Sequence, residues 1–251
     1  MKKAVTKLDR VVALFGAQIV QGDYAPGSAL PAEAELCKTY ELSRATLREV
    51  VKVLAAKKLI NVQQHRGLQV MPKEKWNYLD SDVLRWVLAN EEDYEFIHVL
   101  LETRCVVEPA IAEWAAQRAT ASDLVDLESA LNDMDRFYED KNAFNLADVR
   151  FHQALIASAH NFVIEQLGEA ISTLQRAVFD VTYFPDQTTR KITISQHRKL
   201  YDAIRLKNPQ VARKISTVMI GGVEKRIAEK FFGSPSVKQN KTDDGAKLAT
   251  A

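Results

Sequence analysis

Two cysteines among 251 residues, Cys37 and Cys105, leave no basis for a disulfide framework and none for a CxxC metal knuckle. No apolar run is long enough to span a bilayer. The N-terminal residues do not combine a basic start with an apolar stretch and a small-residue cleavage site. Secretion and membrane insertion are therefore not expected, and a reducing cytoplasm is. There is no internal repeat. Net charge is also scarce, only +1 at pH 7, and that near-neutrality conceals a division. Residues 1–75 carry 13 Lys+Arg against 7 Asp+Glu, whereas residues 76–251 carry 21 against 26. A basic head on an acidic body points to a head that meets a polyanion.

What is present suits a folded protein with one large core or two modest ones, since 47% of residues are hydrophobic and 27% charged. Val12, Phe15, Ile19 and Val20 share one face of a helix predicted over Asp9–Gly22, with Gly22 as its stop. The segment DYAPGSALP is turn chemistry, and AEAELCKTY a short helix. Ser43 is a natural N-cap for RATLREVVKVLAAKKL, in which Leu47, Val50, Val51 and Leu54 recur at helical spacing. LINVQQHRGLQVM reads as two short strands around a turn at His65, Arg66 and Gly67. Three short helices and a hairpin make a winged helix-turn-helix over residues 1–75.

Residues 76–82 (WNYLDSD) break the pattern and read as a linker. Residues 83–232 then read as an all-helical domain for effector binding and dimerisation. Its helices fall near 82–90, 93–118, 121–139, 142–159, 162–182, 188–206 and 209–231. Thr120 with Asp123 resembles a capping box, and Pro109 falls inside a helix, which it should kink. Residues 233–251 are polar and read as a disordered tail. The fold class expected is mainly α, a winged helix-turn-helix followed by a helical bundle.

A recognition helix offers its first turns to base edges in the major groove. Here those turns hold Ser43, Arg44, Thr46 and Arg48. Arg44 and Arg48 share a face, and arginine reads guanine O6 and N7 in bidentate fashion. Gly67 lets the wing backbone approach the minor groove, with His65 and Arg66 beside it. The same arginines also suit a merely solvated helix face. Such a head makes few contacts alone, so a homodimer on a palindromic double-stranded operator is expected.

Asp148 and His152 lie at i, i+4 and so side by side on one helical face. Such a pair is either a hydrogen-bonded couple or two ligands of one metal ion, which His197 on a later helix can complete. Arg104 and Arg176 each sit in an apolar helical stretch, an expensive place for a lone guanidinium.

The stretch LPAEAELCKTYELSRATLREVVKVLAAKKLI, followed by a short wing, resembles the DNA-binding domain of the GntR superfamily. WNYLDSDVLRWVL, LLETRCVVEPAIAEWAA and ADVRFHQALIASAHN resemble its FadR-type subfamily, whose effector domain is called FCD. Within it, WNYLDSDVLRWVL and AISTLQRAVF are similar to members that repress D-galactonate catabolism. The resemblance implies a metal site of an Asp, a His four residues later and two further histidines. Asp148, His152 and His197 match three of these, and the fourth place falls on Met219. It also implies a pocket arginine at Arg104. Arg176, Asn161 and Gln175 are further candidates for effector contacts. Many relatives have a DNA-touching arginine where this chain has Ala34, which points to a different operator.

These readings converge on a repressor of sugar-acid catabolism genes. It would be released from DNA by a hexonate-type acid bound beside a divalent metal, zinc first, with nickel or manganese as alternatives. Two other classes fit the same residues. One is a regulator for which the metal itself is the signal; the other is a metal-dependent hydrolase, disfavoured by the attached DNA-binding head and the lack of a placed general base.

Overall fold

The structure, a computed structural model, describes residues 6–63, 67–89, 94–182 and 187–232, and the side chains among these apart from 94–95, 169, 174–187 and 228–232. Helix α1 (Lys7–Gln21) begins two residues before the predicted start. Thr6 and Asp9 form a reciprocal capping box there, which satisfies two otherwise orphaned N–H groups. The helix ends at Gly22, whose φ of 93° lies in the left-handed region that glycine occupies without strain. Helices α2 (Glu33–Thr39) and α3 (Arg44–Ala56) follow. The Ser43 hydroxyl accepts the Thr46 N–H at 3.1 Å, as an N-cap should. Between α2 and α3, Lys7 Nζ donates to the Glu41 carbonyl at 2.6 Å, tying the start of α1 to the turn. Strands β1 (Ile60–Gln63) and β2 (Gly67–Val70) pair antiparallel, with Ile60 opposite Val70 and Gln63 opposite Gly67. Phe15, Ile19, Leu36, Leu47, Leu54, Leu59 and Val70 bury together in one core. Each such side chain contributes roughly 1.5–3 kcal/mol through its removal from water.

After a single 3-10 turn at Lys73–Lys75 come α4 (Ser81–Leu88), α5 (Tyr94–Arg118), α6 (Ala121–Arg136) and α7 (Lys141–Ser158). The last three are α8 (Phe162–Thr182), α9 (Gln187–Arg205) and α10 (Pro209–Phe232). Predicted and observed boundaries agree closely except for α6, which ends at Arg136 rather than 139, and α3, which ends at Ala56 rather than Leu59. Thr120 and Asp123 do form the capping box of α6, and α5 runs through Pro109 as one helix. Helix α5 lies at the centre, against α7, α8, α9 and α10. A second core gathers Ile111, Leu127, Leu131, Met134, Phe151, Leu155, Leu200 and Ile204.

The stretch 76–82 joins these regions by packing. Trp76 is buried in the first core, as are Val83, Trp86 and Val87 of α4. Leu84 of the same helix turns the other way, into a small cluster with Ile97, Leu101, Ala170 and Ile227. Asp80 caps α4 and, with Asp82, accepts hydrogen bonds from Lys57 Nζ at 2.7–2.9 Å. The tail expected over 233–251 lies outside the described residues.

Candidate functional site

On α3 the apolar face goes inward and the polar face stays out. Leu47, Val50, Val51 and Leu54 are buried, while Ser43, Arg44 and Arg48 are exposed. Neither arginine forms an ion pair among the described residues, so both guanidinium forks face solvent with their donors open. Thr46 is half-buried, and its hydroxyl shares a hydrogen bond with Ser43 at 2.9 Å. Gly67 opens β2 with φ +79°, and a Cβ there would meet nothing within 4 Å, so the backbone is unobstructed. His65 and Arg66 lie outside the described residues. Ala34 is exposed on α2.

The second region is interior. Asp148 and His152, four apart on α7, meet His197 of α9. Their candidate ligand atoms all lie within 4.8 Å of one another. His197 Nε2 is 3.1 Å from Asp148 Oδ1 and 3.4 Å from His152 Nε2. Both histidines are more than nine-tenths buried. Phe151 stands edge-on to His197, with ring centroids 4.9 Å apart, closing the apolar side. His197 Nδ1 is 2.8 Å from the Thr193 carbonyl, an arrangement that requires Nδ1 to carry the proton and donate. Nε2 of the same ring faces a carboxylate oxygen and a second imidazole nitrogen. Three acceptors so placed repel unless a proton or a metal ion stands between them. Two donors each about 2.1 Å from one ion are roughly 3.0–3.4 Å apart at right or tetrahedral angles, so the two spacings from His197 fit a shared cation.

The electrostatics favour the ligand forms. Burial works to raise the Asp148 carboxyl. The His197 hydrogen bond and the charges of His197, His152 and Arg104 outweigh it and hold the group below the usual carboxylate range. Burial pushes the His152 imidazole down, with His197 and Arg104 acting the same way and Asp148 and Glu108 opposing. An ionised carboxylate and a neutral imidazole are the species that bind metals.

Arg104 does sit within this field, but it is not lone. Its Nε donates to Glu108 Oε1, one turn along α5, and both residues are buried. The other Glu108 oxygen is 3.9 Å from His152 Nδ1, so this carboxylate backs the imidazole as well. Glu108 and Thr193 were not predicted. The available signal was an Arg and a Glu at i, i+4 within an apolar stretch. Met219 packs in the second core with Phe151 and Leu155, which accounts for it as an apolar residue. Asn161 caps α8: its Oδ1 accepts from the N–H groups of Val163 and Ile164 at 3.1 and 3.3 Å. The side chains of Gln175 and Arg176, on α8, lie outside the described residues.

Residues 7–70 match the family described as bacterial regulatory proteins, gntR family, and residues 99–221 match the FCD domain. The chain is 49% identical over 225 residues to a galactonate operon transcriptional repressor of Escherichia coli (strain K12), covering 90% of this chain and 98% of that protein. It is 28% identical over 211 residues to the uncharacterized HTH-type transcriptional regulator YieP of the same organism, covering 83% and 90%. Among solved structures it is similar to a GntR protein of Streptococcus agalactiae, with a TM-score of 0.50, 26% identity and coverage of 87% and 97%. These relatives are transcription regulators, not enzymes.

Proposed function

The chain belongs to the GntR family of bacterial regulators with an FCD domain, and from that premise we propose that it represses sugar-acid catabolism genes and leaves its operator when a hexonate such as D-galactonate binds the helical domain. The observation that carries this reading is the gathering of Asp148 with the buried His152 and His197, their candidate ligand atoms all within 4.8 Å of one another. A divalent ion held there, zinc, nickel or manganese, would offer open coordination positions to an outside carboxylate and hydroxyl. Arg104, steadied by Glu108, supplies the positive charge that a bound acid needs. The 49% identity to a galactonate operon repressor supports galactonate as the acid.

On the DNA side, Arg44 and Arg48 read guanine edges, Ser43 and Thr46 meet backbone phosphates, and Gly67 brings the wing with His65 and Arg66 to the minor groove. A cytoplasmic homodimer places two such heads on a palindromic operator. Helix α8 packs on α7, and α4 packs on both α8 and α1. A ligand that shifts α8 therefore reaches the head through contiguous side chains.

The test is operator binding by the metal-loaded protein, titrated with D-galactonate. Release at micromolar to millimolar acid is expected, together with a raised melting temperature. Unchanged operator affinity and melting temperature in saturating galactonate would sink the reading.

A further inference from the structure

Among the described residues two side-chain oxygens are buried without a hydrogen-bond partner, Ser172 Oγ on α8 and Asn145 Oδ1 on α7. Ser172 is only 1% exposed. Helical hydroxyls ordinarily satisfy themselves on the carbonyl four residues back. Thr103, Ser158, Thr193 and Thr217 all do so here, at 2.6–3.0 Å. Ser172 does not.

The register of the α7–α8 hairpin places both atoms. Only residues 159–161 separate the two helices, so they run antiparallel as packed neighbours. A Cβ at Gly168 of α8 would lie 3.1 Å from Ile156 of α7, which fixes where the helices touch. One turn further along α8 is Ser172, and one turn back along α7 is His152. The two are therefore level on facing helices. Asn145 precedes Asp148 by three residues and His152 by seven, the spacing of a single helical face. The register therefore sets Ser172 level with His152 across the hairpin and Asn145 on the face of α7 that carries Asp148 and His152.

We propose that Ser172 and Asn145 form a hydroxyl-recognising subsite, pairing with the distal hydroxyls of a polyhydroxy acid whose carboxylate end lies at the Asp148–His152–His197 cluster. The inference rests on the sugar-acid reading above and adds the residues that distinguish a long polyol chain from a bare 2-hydroxy acid. An unpartnered buried oxygen is costly to keep, and a ligand hydroxyl removes that cost. Selectivity follows, because an acid lacking the hydroxyl leaves the oxygen unsatisfied.

The experiment is calorimetric titration of D-galactonate into metal-loaded wild type, Ser172→Ala and Asn145→Ala, with bound metal and ligand-free melting temperature measured on each. Each variant is expected to bind galactonate roughly 3–10-fold more weakly, the loss of one neutral hydrogen bond, with metal content unchanged. Ser172→Ala should melt no lower than wild type without ligand, because it deletes a hydroxyl that bonds to nothing; a structural hydroxyl would lower the melting point. Wild-type affinity in both variants would overturn the subsite and leave the sugar-acid reading standing. Loss of metal together with galactonate would also overturn it, since the damage would then be to the cluster. If wild type binds no galactonate, both readings fall.

Discussion

In the N-terminal region the side chains proposed to meet a partner stand in water, whereas in the helical region they are enclosed. Arg44 and Arg48 are exposed and unpaired among the described residues, while Arg104, Glu108, His152 and His197 are each 3–7% exposed and contact one another. A surface cation keeps its hydration until a phosphate or base displaces it, so it tolerates change without harming the fold. A buried charge must have a partner at all times, so its neighbours are part of the site.

The sharpest break of that contrast is His152→Ala. It should abolish both metal retention and the response to galactonate while leaving operator affinity within about twofold, because the head shares none of these ligands. Metal analysis and a gel-shift titration on the same preparation check this; a variant that loses metal yet still releases DNA would detach the ion from the response. Next come Arg44→Ala and Arg48→Ala, each expected to cost about 1–3 kcal/mol of operator binding and to narrow the preference over random DNA. Their melting temperatures should not move. Specificity that survives in both would exclude α3 as the reading helix.

A third prediction targets the junction. A Cβ on Gly16 of α1 would sit 2.3 Å from the Trp86 ring of α4. Gly16→Ala should therefore destabilise the protein by about 1–3 kcal/mol through overpacking, despite alanine's better helix propensity. Denaturant unfolding measures it, and a stabilised variant would show that α4 does not hold this position.

The smallest effect concerns Lys57, whose side chain is 11% exposed between Asp80 and the 41% exposed Asp82. Burial opposes the Lys57 charge, but the two aspartates outweigh it and raise its pKa above 10.5. Burial likewise opposes the Asp82 charge, and Lys57 and Arg85 hold its pKa below 3.8. Lys57→Met should lose about 1 kcal/mol or less, given the partial exposure. For Asp82, the depressed group, the stabilisation is present above pH 3.8 and is lost as pH falls through its lower folded value. For Lys57, the raised group, it is present below pH 10.5 and is lost on further alkalinisation. The gap between wild type and variant should stay flat from pH 5 to 9 and close at both ends. A gap that varied across the neutral range would assign it elsewhere.

How much could be read beforehand differs between the regions for the same reason. Ser43, Gly22 and the Leu47–Leu54 repeat are local signals, and the head is built from local contacts, so its fold was legible. Asp148 and His152 were legible as neighbours because one helix sets their spacing. That His197, rather than some residue of α8, closes the cluster came from the family pattern, since helix pairing is a tertiary fact. Glu108 was hidden for a further reason. Helix α5 is apolar around much of its circumference and packs on four helices, so periodicity gives it no inward face, and a glutamate there looks like any solvated one. The Thr6–Asp9 capping box was readable and missed.

Helix α4 contributes Val83, Trp86 and Val87 to one core and Leu84 to another cluster. This has a consequence for how such regulators can recombine. A chimera joined at residue 75 would graft a head that lacks four of its own buried side chains, Trp76, Val83, Trp86 and Val87, onto a body whose first helix fits a different stranger. Heads and bodies of this architecture are therefore expected to be exchangeable only with α4 carried along and its opposite face rematched, so that the unit of inheritance is longer than the unit that touches DNA.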